Sequence, residues 1–173
     1  MNSCLDILSQ SFGRCRSVVI PDLLLVRNPP KGLLARIVAQ FSRTFLLAPW
    51  VVGAFSISNS HWGLLLVNVR TFFSTKKIFF LESGFSGNQM PEAYHVQAFF
   101  SVLHAVMGDS IWFPYEDVLL ERKKIPRQKD GWSCGFRALY AFYSILNNRD
   151  LMEEVKIDTI METLQKCLDG LIE

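Results

Sequence analysis

The sequence lacks a long hydrophobic run and a strong excess of charge of either sign. Its longest apolar stretch, Phe45 to Phe55, has eleven residues and contains Pro49 and Gly53. A membrane-spanning helix needs about 20 apolar residues, so we expect a buried segment there and no membrane partner. The 18 basic and 16 acidic residues leave a net charge of +2. Nucleic-acid binding is therefore neither indicated nor excluded by charge.

Cysteine is also scarce. Cys4, Cys15, Cys134 and Cys167 are scattered along the chain, and their spacing fits neither a zinc site nor a dense disulfide framework. We therefore predict no metal site and a reducing intracellular setting, in which a reactive thiolate would persist. Residues 1–13 lack the charged leader and apolar core of a secretory signal, which supports the same expectation.

The remaining features predict a single domain over residues 1–173. Half of the residues are hydrophobic, which is enough for a sizeable core, and we see neither an internal repeat nor a long linker. Apolar patterns predict both strands and helices. The predicted strands are Ser17–Val26, Val51–Ile57, a hairpin of Gly63–Val69 with Lys77–Leu81, and Trp112–Leu120. The predicted helices are Leu33–Leu47, Glu92–Met107, Cys134–Leu146 and Leu151–Ile172.

Cys134 occupies the most informative position in the chain. It follows a polar turn that begins at Gln128 and lies two residues before the apolar stretch Phe136–Leu146, which predicts a buried helix. Unpaired N–H groups and the macrodipole at a helix N-terminus favour negative charge and so lower a thiol pKa. Most free cysteines are buried and inert, but this location favours a nucleophile. Gln128, six residues upstream, could donate to an oxyanion together with the Cys134 backbone N–H.

His61 is the candidate base among three histidines. His95 and His104 fall in a predicted helix, where packing or surface roles suffice. If the hairpin turns near residues 71–73, antiparallel pairing places His61 almost opposite Glu82, within reach of an imidazole–carboxylate hydrogen bond. Asp130 is a competing carboxylate, but a turn before Gly131 explains it better.

The ordered set of His61-Trp62, Glu82, Gln128 and Cys134-Gly135 resembles a group of cysteine proteases. This group includes the adenain-type maturation protease and the ubiquitin-like-protein-specific proteases, and the resemblance covers roughly residues 50–146. It implies an α+β fold of papain-like architecture, with a mixed central sheet flanked by helices and the catalytic cysteine at a helix N-terminus. It further implies a triad of Cys134, His61 and Glu82 with Gln128 as oxyanion donor. Trp62 would line the substrate channel.

Two branches of this group compete. The six-residue Gln128–Cys134 interval favours the ubiquitin-like-specific branch, which usually has aspartate as the third catalytic residue and a tryptophan-containing N-terminal motif. Glu82, the following Gly84-Phe85-Ser86 and the short chain favour the adenain-like branch. We therefore expect a viral maturation endopeptidase that cleaves glycine-rich Gly-Gly or Gly-X sites. The alternative is a SUMO or ubiquitin deconjugating protease, and a second alternative is an effector-type acetyltransferase on the same fold.

The resemblance also implies the partners. The substrate would be a protein with a glycine-rich cleavage site, either a viral precursor or a ubiquitin-like modifier. No cofactor is required for the chemistry, although an activating peptide or nucleic acid would suit the adenain-like branch. A viral enzyme of this kind would act in the host nucleus or the virion. A catalytically dead interaction domain is disfavoured because all four expected side chains are present.

Overall fold

The computed structural model describes residues 17–20, 32, 35, 39, 49–57, 61–84 and 90–169. Most of the predicted helix Leu33–Leu47 and most of the predicted strand Ser17–Val26 lie outside these ranges, although residues 35 and 39 are helical. The residues Cys4, Cys15, Phe85 and Ser86 also lie outside them. The strands are β1 (Ser17–Ile20), β2 (Trp50–Ile57), β3 (His61–Asn68), β4 (Lys77–Leu81) and β5 (Leu119–Lys123). The helices are α1 (Val69–Thr75), α2 (Ala93–Met107), α3 (Cys134–Leu146) and α4 (Ile157–Leu168).

The strands form one mixed sheet in the order β1-β2-β3-β4-β5. The central pairs β2–β3 and β3–β4 are antiparallel, whereas the outer pairs β1–β2 and β4–β5 are parallel. The predicted α+β class with a mixed central sheet is therefore confirmed.

Helices cover both faces of the sheet. Side chains alternate between the two faces of a strand, so Phe55 and Leu65 join a cluster with the apolar side of α2. Ala54 and Leu64 instead join a cluster with α3 and α4 on the opposite face. Because both faces are buried, β2 and β3 carry nearly continuous apolar runs. This arrangement sets α3, with Cys134 at its start, against β3.

The connection between β3 and β4 differs from the predicted hairpin turn. It is the helix α1, which Asn68 caps by accepting a hydrogen bond from the Arg70 backbone N–H at 3.1 Å. Fully buried Phe72 anchors the helix, and Lys76, in the left-handed conformation with φ 52°, ends it. The antiparallel pairing is nevertheless as predicted, with Leu64 opposite Leu81.

Two other predicted elements need correction. The strand expected over Trp112–Leu120 is wrong, because a 3-10 turn occupies Tyr115–Asp117 and β5 begins only at Leu119. The expected helical segment Leu151–Ile172 contains α4, which begins at Ile157. Among the described residues, no helix has the length and apolar character needed to cross a membrane.

Candidate active site

Cys134 is the first residue of α3 and is almost fully buried. Its Sγ atom accepts a hydrogen bond from the backbone N–H of Trp62 at 3.3 Å. This contact joins the start of α3 to the start of β3, where His61 is the first residue. The predicted location of Cys134 at a helix N-terminus is thus what the structure shows.

His61 and Glu82 meet at the end of the antiparallel pair β3–β4. His61 Nε2 lies 2.8 Å from Glu82 Oε1, and both side chains are buried. The Cys134 side chain also interacts with His61 and raises the pKa of the imidazole. Since Nε2 binds the carboxylate, Nδ1 is the ring nitrogen that remains for the thiol. The imidazole therefore lies between the carboxylate, to which it is hydrogen-bonded, and the thiol, with which it interacts.

The Glu82 carboxylate has donors on both oxygens. The Gly84 backbone N–H also donates to Oε1, and the Arg122 guanidinium donates from Nη2 to Oε2 at 2.6 Å. The Glu82 side chain is completely inaccessible to solvent, and a buried carboxylate is tolerated only when it is paired in this way. Arg122 belongs to the run of four charged residues 121–124, and the sequence analysis did not identify its role.

The contacts among Glu82, His61 and Cys134 shift the pKa of each group. Hydrogen bonds to Cys134 and Glu82 raise the pKa of His61 to about 9 against the opposing effect of burial. Burial pushes the pKa of Cys134 up, but hydrogen bonds with His61 and the Trp62 N–H outweigh it, and the net pKa is lowered. Burial likewise opposes ionisation of Glu82, yet His61, the Gly84 N–H and Arg122 together lower its pKa. All three pKa shifts favour a thiolate–imidazolium pair backed by a carboxylate.

Asp130 lies in the turn before α3 and binds that turn rather than His61. Its Oδ1 accepts the backbone N–H groups of Trp132 at 3.0 Å and Ser133 at 2.7 Å. Its Oδ2 accepts the Ser133 hydroxyl at 2.7 Å, and Ser133 Oγ in turn accepts Arg137 Nε at 3.0 Å. Asp130 therefore fixes the turn that delivers Cys134, as the sequence suggested for a turn residue.

Gln128 is buried beside the segment that follows β4. Its backbone N–H donates to the Ser83 carbonyl at 2.7 Å, and its Oε1 lies 3.4 Å from the Ser83 hydroxyl. Because the carbonyl end of the amide faces Ser83, the Nε2 end is the one that can donate to a reacting group. Gln128 therefore lies beside Ser83, the residue that follows Glu82.

Trp62 is half-buried at the junction of β3 and α3. Together with Gly63 it lines one side of a small apolar pocket, whose other side includes Gly135 and Ala138 of α3. Trp132, in the turn before Cys134, is 56% exposed and packs edge-on against Phe136. Trp132 was not singled out in the sequence, although an exposed tryptophan two residues before a candidate nucleophile is itself a signal. Among the described residues, no group of three or more His, Cys, Asp or Glu side chains could hold a metal ion.

The fold is shared with solved structures of the SUMO protease Ulp1 and the effector XopD. The SUMO protease Ulp1, solved with its catalytic cysteine oxidised to a sulfinic acid, is similar with a TM-score of 0.64 and 14% sequence identity. That similarity covers 100% of this chain and 78% of the Ulp1 chain. The Xanthomonas campestris effector XopD, solved bound to ubiquitin, is similar with a TM-score of 0.56 and 16% identity, over 96% of this chain and 89% of XopD.

A Ulp1 protease domain in complex with Smt3, the yeast ortholog of SUMO, is also similar, with a TM-score of 0.62 and 14% identity. The similarity covers 100% of this chain and 78% of the Ulp1 chain in that complex. No protein-family model and no curated protein sequence matches the chain. The shared property is therefore the fold, while the chemistry must be argued from the residues.

Proposed function

We propose that this protein is a cysteine peptidase in which Cys134 is the nucleophile, His61 the proton carrier and Glu82 the carboxylate that orients His61. The observation that carries the proposal is the buried His61–Glu82 hydrogen bond next to Cys134, whose Sγ at the start of α3 accepts the backbone N–H of Trp62, the residue after His61. This is the geometric signature of an activated nucleophile, with the base itself oriented by a third group.

The proposed reaction follows from the charge state of the site. The Cys134 thiolate attacks the scissile carbonyl carbon, and the carbonyl oxygen becomes an oxyanion. The Gln128 side-chain amide and the Cys134 backbone N–H donate to that oxyanion. The His61 imidazolium gives its proton to the leaving amine, which leaves a thioester on Cys134. His61 then removes a proton from water, the hydroxyl attacks the thioester, and the Cys134 thiolate leaves, which releases the acid product and restores the thiolate–imidazolium pair.

We further propose that the substrate is a ubiquitin-like modifier whose glycine-ended tail reaches Cys134. Two similar structures, Ulp1 with Smt3 and XopD with ubiquitin, are complexes with such modifiers, and the six-residue interval between Gln128 and Cys134 supports the same branch. This replaces the viral maturation protease favoured by the sequence, which the similar structures do not support. The acetyltransferase alternative likewise has no support among them.

Within this proposal, Trp62 lines the path of the substrate tail. Its backbone N–H donates a hydrogen bond to Cys134 Sγ, and Trp62 lines the pocket between β3 and α3. A flat aromatic wall beside a nucleophile admits glycine and excludes branched side chains. The steps above use only side chains and water, so we expect activity without an added cofactor, in a reducing compartment that keeps Cys134 free.

The direct test uses SUMO and ubiquitin probes that carry a C-terminal electrophile, compared with linear peptides that contain Gly-Gly or Gly-X sites. We expect a stoichiometric covalent adduct with a modifier probe, mapped by mass spectrometry to Cys134. The Cys134→Ala variant should form no adduct while keeping the circular dichroism spectrum of the parent. Its matched control, Cys167→Ala, alters a cysteine in α4 and should react like the parent.

A specific observation keeps the adenain-like function as the second candidate. Its glutamate at the third catalytic position is matched here by Glu82, whose carboxylate binds His61. Cleavage of the linear peptides without reaction of any modifier probe would transfer the assignment to that branch. Failure of both, with an unreactive Cys134, would overturn the peptidase proposal itself.

A further inference from the structure

We propose that Arg122 is a positioning residue of this site, which holds the Glu82 carboxylate in the orientation that binds His61. The inference rests on the proposed catalytic roles of His61 and Cys134, and it adds a residue from β5 to a site otherwise built from β3, β4 and α3.

The strand register explains how Arg122 reaches Glu82. Arg122 is paired with Phe80 across the parallel β4–β5 ladder. Glu82 lies two residues after Phe80, so the side chains of Arg122 and Glu82 point to the same face of the sheet. The guanidinium extends past the Phe80 ring, 5.9 Å from its centroid, and donates to Glu82 Oε2 at 2.6 Å. The same Nη2 atom lies 3.5 Å from the Glu82 carbonyl oxygen.

The burial of the pair gives this contact its effect. The Glu82 side chain is inaccessible to solvent, whereas Arg122 is 27% exposed. With Oε1 bound to His61 and Gly84, Oε2 would have no solvent contact to replace the Arg122 hydrogen bond. A buried carboxylate oxygen left without a donor is strongly unfavourable, so the side chain would turn away from its present position or take up a proton. Either change would release His61.

The neighbouring cations on the same strand pair, Lys77 and Lys123, differ from Arg122 in that their partner is exposed. Lys123 and Lys77 both bind Glu121, at 2.7 Å each, and all three side chains are at least one-third exposed. Exposed pairs of this kind contribute little to stability. Arg122 alone among these three cations binds a fully buried partner. Lys123→Met is therefore a matched control for Arg122→Met, one residue away on the same strand.

The first readout is alkylation of Cys134 by iodoacetamide as a function of pH, which requires no substrate. The charged or titratable groups around Glu82 are His61 from β3 and Arg122 from β5, with Cys134 of α3 bound to His61. Without Arg122, Glu82 would take up a proton at a higher pH and no longer support the imidazolium. In Arg122→Met we expect the acid limb of the alkylation profile to move to higher pH, because a positively charged neighbour lowers the pKa of a carboxyl and that carboxylate supports the imidazolium.

The second readout is turnover of the substrate found for the parent. Loss of the carboxylate function behind a catalytic histidine lowers kcat by about 10⁴-fold. Arg122 acts on that carboxylate from one contact further away, so we expect a smaller fall in kcat, about 10–100-fold, with KM nearly unchanged. Arg122→Lys keeps the charge without the planar guanidinium and should recover part of kcat. Lys123→Met should match the parent in both readouts.

A double-mutant cycle separates positioning from general destabilisation. In a Glu82→Gln background, Arg122→Met should change kcat and the alkylation profile by less than twofold, since its target is already lost. An equal effect of Arg122→Met in both backgrounds, or a parent-like profile in the folded Arg122→Met variant, would overturn the inference. A parent in which Cys134 alkylation shows no thiolate character would instead overturn the proposed function.

Discussion

Cys134 and Cys167 are both buried, yet their thiols differ in acidity. Burial raises the pKa of Cys167, which the nearby Arg149 only partly opposes. At Cys134 the same effect of burial is exceeded by hydrogen bonds from His61 and the Trp62 N–H, and the pKa is lowered. The difference is one of partners rather than exposure, so reactivity here follows from the contacts that favour the thiolate.

This contrast predicts selective alkylation. Iodoacetamide near pH 7 should modify Cys134 well before Cys167, because the thiolate is the reactive form. Hydrolytic activity should fall at low pH as Cys134 is protonated, and should fall again near pH 9 as the His61 imidazolium, whose pKa is about 9, loses its proton. Peptide mapping after timed alkylation and the pH dependence of kcat/KM measure the two effects.

The His61→Ala variant is the control for this prediction. It removes the hydrogen bond that favours the thiolate, so selective alkylation of Cys134 and the limb near pH 9 should both disappear. Equal modification of Cys134 and Cys167 in the folded parent would contradict the assignment of Cys134.

The spacing of residues in the sequence was enough to predict the site residues that lie close to strand or helix ends. The antiparallel β3–β4 pair brings His61 to Glu82 almost as local pairing predicted, and the polar turn before α3 identified Cys134. Arg122 was missed for a physical reason. Its contact depends on the parallel β4–β5 pairing between residues about forty apart, and no local pattern in a run of four charges reveals which one is turned toward a buried carboxylate.

At the scale of elements, β3 fixes the site because its backbone has little room to move. The apolar runs predicted β2, β3 and β4, but the helix α1 was missed because residues 70–76 resemble a polar connection. Its formation depends on the Asn68 cap and on burial of Phe72 against Phe113, a contact with a distant segment. The predicted pairing survived this error because α1 returns the chain to the same antiparallel register.

Gly63 tests how tightly β3 is held. A Cβ atom at this position would lie 2.7 Å from the Phe55 ring and 2.9 Å from the Leu81 carbonyl oxygen. The oxygen belongs to a central strand and cannot yield without shifting the sheet. Gly63→Ala should therefore lower the free energy of unfolding by about 1–3 kcal/mol, as overpacking of a core does. It should also reduce activity, because the shift is two residues from His61.

Gly131→Ala is the matched control for this prediction. A Cβ atom there would meet nothing within 4 Å, so its free energy of unfolding should stay within about 0.5 kcal/mol of the parent. Urea denaturation of the parent and both variants measures the difference. Equal stability of Gly63→Ala and Gly131→Ala would show that β3 adapts more readily than its contacts indicate.

At the scale of the whole molecule, the ion pair affects how stability depends on pH. The raised pKa of His61 gives stability that is full below about 6.5 and is lost as pH rises through about 9. The lowered pKa of Cys134 gives stability that is present above its unfolded value and is lost as pH falls through the folded one. The two groups share one proton in the folded protein, so their effects must be counted together.

Counting the protons of both groups predicts a pH range in which the stability of the parent does not change. Between about pH 6.5 and 9, once Cys134 is a thiolate, the folded pair holds one proton on His61. The unfolded pair also holds one, on the thiol of Cys134 with His61 neutral. Equal proton numbers leave no slope of stability against pH. In Cys134→Ala the folded protein still holds a proton on His61 through its bond to Glu82, whereas the unfolded chain has lost it.

The variant should therefore lose stability relative to the parent as pH rises from about 6.5 toward the pKa that His61 retains with Glu82 alone. The limiting slope of this difference is about 1.4 kcal/mol per pH unit, as expected for one proton. Urea denaturation of parent and variant at several pH values measures it, and the contribution of Cys167 cancels because both proteins contain it. A difference that stays constant with pH would mean that the bond to Glu82 alone does not keep His61 charged in the folded variant, and that Cys134 supplies the larger part of the raised pKa of His61.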